Sequence, residues 1–310
     1  MKRSATARRA ASLSHRQRRS CLPVAGILIV LVVAVVGAAQ VAYWIALAGR
    51  DSINILVLGL DRRQQETGPS RSDVIMLIHL DAHEERVRLL SIPRDLYVEI
   101  PDHGQGRINT AHFWGELETA GGGPARVVQV INQNFGLPVH GYFRFDFQGF
   151  VKVVDALGGI YVEVPSDIHD NDFPTDDFGY MSLAIPAGRQ KMDGEMALAY
   201  VRTRHGSSDF DRVRRQQQVT EALLRRAASP PGWLCLPAAL KAVQASVDTD
   251  LRLDKVLFWA LFAVRSDLDP QDSIVLDETM TFPWTTEQGS QVLLPDWNRI
   301  LPLMRRFGGG

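Results

Sequence analysis

The sequence predicts an α/β fold, a sheet covered by helices and preceded by one transmembrane helix. Three observations predict it. An uncharged run of 27 residues, Leu22–Ala48, follows a basic head. Beyond it, short apolar runs rich in branched residues alternate with stretches of helical periodicity. About 260 residues follow that run, enough to bury a core without disulfides.

The anchor is the first element. Residues 1–21 hold seven basic side chains and no acid, and the next charge is Arg50. A helix over 22–48 spans about 40 Å, enough to cross a hydrocarbon core of about 30 Å with tilt. Tyr43 and Trp44 stand near its far end, where an aromatic belt belongs. The run exceeds the roughly 7–15 apolar residues of a cleaved signal peptide. The positive head keeps the N-terminus cytoplasmic and places the body, from residue 49, outside.

Composition narrows the class of the body. With 45% hydrophobic and 22% charged residues, collagen-like, wholly disordered and disulfide-stapled chains are excluded. Residues 51–310 carry 26 basic and 35 acidic side chains, a net charge of −9. A nucleic acid is not the partner of such a body. Cys21 and Cys235 fall on opposite sides of the membrane and cannot pair.

Within the body, Ile53–Leu60, Asp73–Leu80 and Arg86–Ile92 read as buried strands, and Tyr97–Ile100 as a short fourth. Pro124–Phe135 places Val127, Val130, Ile131 and Phe135 on one helical face and stops at Gly136. His140–Phe147 alternates as a strand. Phe147–Leu157 is a helix closed by Gly158 and Gly159. Ile160–Val164 and Met181–Ile185 are strands, and Asp193–Tyr200 and Phe210–Ala228 helices. The acidic stretch Asp167–Tyr180 between them reads as an exposed loop. Leu236–Val247 and Leu253–Val264 read as helices, Ser273–Leu276 as a strand, and Arg305–Gly310 as a frayed end. The organisation is a head (1–21), an anchor (22–48), a main domain (49–230) and a C-terminal extension packed on it (231–310).

Short connections make the first three strands an up-down-up meander. Asp61 follows the first strand, Asp73 opens the second and Arg94 follows the third, so all three reach one edge of the sheet. Two carboxylates together with phosphate oxygens suit Mg²⁺, a hard cation that takes few protein ligands. On topology alone the two acids read first as turn and cap residues. A second cluster, YVRTRHGSSDFDRVRRQQQ, spans Tyr200–Gln218. Arg202 and Arg204 share a face where the backbone is extended, and Arg212 and Gln216 share a helical face. Planar guanidinium forks at a helix start suit a pyrophosphate. The plainer reading is a solvated basic face, with Asp209 and Asp211 pairing with the arginines.

The motifs LVLGLD (56–61), RSD (71–73), SIPRD (91–95), RIN (107–109), GEMALAYVRTR (194–204) and DFDRVRRQQQV (209–219) stand in order, with FDFQGFVKVVDALGGI and VEVP between RIN and GEMALAYVRTR. From about Asn54 to Ala228 the chain resembles the LytR-CpsA-Psr family, as does its short head followed by one anchor. The resemblance implies an α/β/α sandwich around a central mixed sheet, with an apolar cavity for a lipid tail. It implies a phosphotransferase that moves a glycopolymer from a polyprenyl-pyrophosphate carrier to peptidoglycan. By the same resemblance Asp61 and Asp73 hold Mg²⁺ and Arg94 is the essential catalytic-site arginine; Asp73 is also taken as catalytic, with Asp73 or Asp95 as the candidate proton acceptor. Arg71, Arg202, Arg204, Arg212 and Gln216 bind the pyrophosphate. The stretch after RIN is bulkier than the family pattern, and residues 231–310 carry no recognisable motif of it. Two further readings stand beside it: hydrolysis of the lipid-linked substrate by the same residues, and a non-enzymatic, membrane-tethered regulator or wall-binding module, against which the Asp and Arg set argues because such a module needs no metal pair.

Overall fold

Strands β1 (Ile53–Leu60), β2 (Ser72–Asp81) and β3 (Arg86–Ser91) form the expected antiparallel meander. β1 and β2 are buried on both faces, which is why they read as continuous apolar runs rather than alternating ones. The computed structural model describes residues 52–62, 68–175, 179–203, 209–266 and 269–308. The head and the apolar run 22–48 lie outside these residues. Among the described residues no helix is long and apolar enough to cross a membrane.

After β3 a hairpin of β4 (Tyr97–Ile100) and β5 (Gly104–Arg107) leads to helices α1 (Thr110–Glu118) and α2 (Gly123–Phe135). α2 starts with Pro124 in its first turn and ends at Gly136, whose φ of 67° is the left-handed cap that glycine adopts freely. β6 (Gly141–Phe145) then joins β1 in parallel. It stops short of Phe147 because Asp146 caps α3 (Phe147–Ala156), accepting from the Gly149 N–H at 2.8 Å.

Two ribbons follow. β7 (Ile160–Val164) pairs with β10 (Gly188–Met192), and β8 (Ile168–Pro174) with β9 (Tyr180–Ile185). The acidic stretch expected to be a loop is therefore largely strand. Its ribbon stands outside the main sheet and buries only Asp170 and Phe173 of β8, with a register shift between them, so the usual alternation is lost. Helices α4 (Gly194–Arg202) and α5 (Asp209–Ala228) come next.

Residues beyond 230 are built into the sheet. α6 (Pro230–Ser246) starts earlier than its periodicity suggests, capped by Ser229, and tolerates Pro237 within it. β11 (Val247–Thr249) pairs with β6, and after α7 (Leu253–Arg265) β12 (Ser273–Val275) pairs with β3. The sheet order is β11-β6-β1-β2-β3-β12, mixed in direction. A last hairpin, β13 (Thr281–Thr285) and β14 (Gln291–Pro295), precedes α8 (Trp297–Phe307). The end expected to fray is a docked helix: Ile300, Met304 and Phe307 are buried.

Helices lie on both faces of the sheet. Leu56, Leu58, Ile75, Leu77 and Leu90 pack against α1, α2 and α8. α5 and α7 cover the other face at β3 and β2. A second core joins α3, α4 and α5 to the ribbons through Val154, Val162, Met192, Tyr200 and Val219.

Candidate functional site

The sheet edge where β1 ends and β2 begins carries the first acids. β1 and β2 approach closely there: a Cβ on Gly59 would stand 2.9 Å from Val74. The register shifts between Gly59 and Leu60: their partners are Val74 and Ser72, so Asp73 is the extra residue of a bulge at this edge. Asp73 is the second residue of β2, and Arg94 lies just past β3 at the same edge. Arg94 donates through one terminal nitrogen to Asp73 Oδ1 at 3.0 Å. Its Nε lies 3.4 Å from Asp95 Oδ2 and 3.7 Å from Asp209 Oδ2. Burial opposes the charge of Arg94, yet the three carboxylates outweigh it and push its pKa further up.

Asp209 links this edge to the arginine-rich helix. Its Oδ2 also accepts from Arg212 at 3.0 Å, in the first turn of α5. Asp211 pairs in turn with Arg214 at 3.1 Å. Asp209 and Asp211 pair with arginines, as the plainer reading expects, but Arg212 and Arg215 are buried rather than solvated, and Asp209 ties the two clusters together.

Asp61, Asp73, Arg202, Arg212 and Gln216 all line one cavity of about 520 Å³. Much of its remaining wall is apolar, from Phe145, Phe147, Phe150, Leu198, Val201 and Val219. Arg202 is fixed between rings, 4.4 Å over Phe147 and 5.6 Å over Phe173. The chain after it is held as well. Thr203 donates to Asp170 Oδ2 at 2.6 Å, and Arg215 donates to the Thr203 carbonyl. Burial lowers the pKa of Arg215, which lies across the Tyr200 ring.

One expected member stands apart. Arg71 is exposed at the entry to β2 and does not line the cavity. Arg204 lies outside the described residues. Sequence reasoning missed Asp146, Asp170 and Asp172, which line the cavity. Asp146 carried a signal, since an acid three residues before Gly149 at a helix start is a cap. Asp170 and Asp172 carried none, lying in a stretch that reads as loop.

Asp61 and Asp73 offer only hard oxygen donors. Among the described residues no three His, Cys, Asp or Glu side chains cluster as a complete metal cage. An incomplete carboxylate set completed by substrate oxygens and water fits Mg²⁺.

Fold and site together define an α/β protein with one cavity lined by arginines, carboxylates and a largely apolar wall. The chain belongs to the LytR-CpsA-Psr family: it matches the LytR_cpsA_psr family over residues 34–299. That match runs past the motifs readable by eye and includes β11, β12 and both strands of the last hairpin. It is 34% identical over 209 residues to the polyisoprenyl-teichoic acid–peptidoglycan teichoic acid transferase TagU of Oceanobacillus iheyensis, covering 67% of this chain and 61% of that protein. It is 35% identical over 184 residues to the corresponding transferase TagT of Bacillus subtilis, covering 58% of this chain and 54% of that one. The chain thus spans less than two thirds of the length of these curated relatives. Among solved structures, TagT bound to LI-WTA superposes with a TM-score of 0.66 at 27% identity, over 84% of this chain and 91% of that one. TagT with bound octaprenyl pyrophosphate lipid gives 0.63 at 25% identity, over 84% and 92%.

Proposed function

We propose that this chain is a membrane-anchored phosphotransferase of cell-wall biogenesis. It moves a glycopolymer from a polyprenyl-pyrophosphate carrier to peptidoglycan. The observation that carries the reading is the meeting of Asp61, Asp73, Arg202, Arg212 and Gln216 in one cavity, with Arg94 paired to Asp73. The similarity to the teichoic acid transferases TagU and TagT, and the octaprenyl pyrophosphate bound in a TagT structure, support it. The head and the apolar run 22–48 supply the anchor, with the N-terminus cytoplasmic and the body outside.

In this reading Arg202, Arg204 and Arg212 hold the pyrophosphate oxygens, and Arg71, exposed at the entry to β2, would reach them only by swinging towards the cavity. Gln216 donates a hydrogen bond, and the apolar wall takes the first part of the lipid. Asp61 and Asp73 would hold Mg²⁺, which when bound supplies positive charge at the pyrophosphate. A sugar hydroxyl of peptidoglycan bonds to the phosphorus nearest the polymer. The bond from that phosphorus to the bridging oxygen breaks, and polyprenyl phosphate leaves with the electron pair. Arg94 stabilises the charge that develops on the phosphoryl oxygens. The hydroxyl proton passes to Asp73 or Asp95, the two carboxylates nearest Arg94.

The test incubates the full chain in detergent micelles with a polyprenyl-pyrophosphate saccharide, peptidoglycan oligomers and Mg²⁺, and reads products by mass spectrometry. A saccharide joined to peptidoglycan through one phosphate supports the transferase. Saccharide phosphate alone means hydrolysis. No product from folded protein favours the regulatory reading, in keeping with the name of a 31% identical Staphylococcus aureus relative, regulatory protein MsrR.

A further inference from the structure

We propose that the face formed by β13 and the β4–β5 hairpin seats the acceptor glycan, with Trp284 and Tyr97 as a stacking platform and Arg107 as the polar contact. The inference rests on the transferase reading above and names the acceptor side of that site.

The last hairpin keeps two large rings in solvent. Phe282 is 54% exposed and Trp284 42% exposed. They are two apart on β13, so they share one face. The Trp284 ring meets Tyr97 edge-on, with centroids 5.8 Å apart. Tyr97 pairs across its own hairpin with Arg107. Arg107 lies 3.4 Å from Asp95 Oδ1, and Asp95 Oδ2 lies 3.4 Å from Arg94 Nε. A continuous row therefore runs from the aromatic pair through Arg107, Asp95 and Arg94 to Asp73 at the cavity.

The row is mechanically coupled to the site. Leu293 of β14 donates its N–H to the Asp95 carbonyl at 3.0 Å, and Arg107 donates to the Gln291 carbonyl at 2.7 and 3.1 Å. The hairpin thus braces the segment that carries Arg94.

Its chemistry is that of a sugar seat. The electron-rich faces of Trp and Tyr attract the C–H edges of a pyranose, and rigid rings lose little entropy on binding. A guanidinium beside them donates to hydroxyl, amide or carboxylate oxygens. The direction also fits the acceptor. In a phosphoryl transfer the attacking and leaving oxygens lie roughly in line about phosphorus. The cavity on the Asp73 side takes the leaving lipid phosphate. The row departs from Arg94 through Nε, whereas a terminal nitrogen meets Asp73.

The probe is a synthetic peptidoglycan tetrasaccharide of alternating N-acetylglucosamine and N-acetylmuramic acid. Its Kd for the full chain in micelles is read by saturation-transfer NMR, and its KM in the transfer assay. Trp284→Ala should raise both about tenfold, leaving donor KM and kcat at saturating acceptor unchanged. Trp284→Phe should restore most of the loss. A wild-type Kd and KM in Trp284→Ala overturns the seat. So does a wild-type chain that cleaves donor but does not bind the tetrasaccharide. If Trp284→Ala does not fold, Tyr97→Ala takes its place, and an unchanged Kd there overturns the seat. Trp284-dependent binding in a chain that transfers nothing supports the glycan seat and overturns the transferase reading alone.

Discussion

Arg94 donates to Asp73 across 3.0 Å, joining the residue just past β3 to the start of β2. The antiparallel meander makes this contact, since both residues reach the same sheet edge.

Arg94→Ala should lower kcat by roughly two to three decades, the scale for losing one charge-stabilising donor. Arg94→Lys should recover little of it. A single ammonium cannot face Asp73 through one nitrogen while facing Asp95 through another, as the guanidinium does. Steady-state transfer kinetics decide, and a near wild-type kcat in Arg94→Ala removes the arginine from the chemistry.

Metal removal gives a second test. Chelation with EDTA should abolish transfer, and added Mg²⁺ should restore it. Asp61→Asn should raise the Mg²⁺ concentration for half-maximal rate by roughly tenfold or more, since each carboxylate is a large share of so small a donor set. Full activity in EDTA would rule out the metal.

Stability should fall on mild acidification. His79 is buried, with Nδ1 2.7 Å from Asn54 Oδ1; the Asn54 amide nitrogen donates to the Pro138 carbonyl, so the Asn54 oxygen accepts and Nδ1 carries the proton. Burial holds the pKa of His79 below its ordinary 6.5, as it does for His112. Both are neutral in the folded state, while the unfolded chain takes up protons as pH drops below 6.5. Their contribution is complete above 6.5 and is lost as pH falls from there towards the folded values. Each histidine adds up to about 1.4 kcal/mol per pH unit in that window. Urea midpoints between pH 7.5 and 5.5 read the slope, which His79→Gln should flatten. A level midpoint in the wild type contradicts the account.

Phe307 closes the first core from the last helix and is 1% exposed. Phe307→Ala should cost about 3–5 kcal/mol, measured by guanidinium unfolding. A loss under about 1 kcal/mol would mean that the helix end is not docked.

The strands of the meander were legible because burial on both faces leaves an unbroken apolar run. Convergence of Asp61, Asp73 and Arg94 followed from that topology. The link through Asp209 did not: an acid in an arginine-rich stretch reads only as local neutralisation, and its second contact comes from a distant strand end. β8 was illegible because a two-stranded ribbon buries so few of its side chains. α8 was legible in principle, since Ile300, Met304 and Phe307 repeat at helical spacing, but Pro302 and the glycine tail obscured it. Arg71 shows the limit of motif adjacency. It stands two residues before Asp73, yet it stays exposed and outside the cavity.

Both outer strands of the main sheet, β11 and β12, come from the last quarter of the chain. Synthesis therefore delivers the middle of the sheet long before its borders. Until residues 247–275 have arrived, β6 and β3 each offer a bare row of N–H and C=O groups to any neighbouring chain. A premature stop after residue 230 would leave both of those borders uncovered for good.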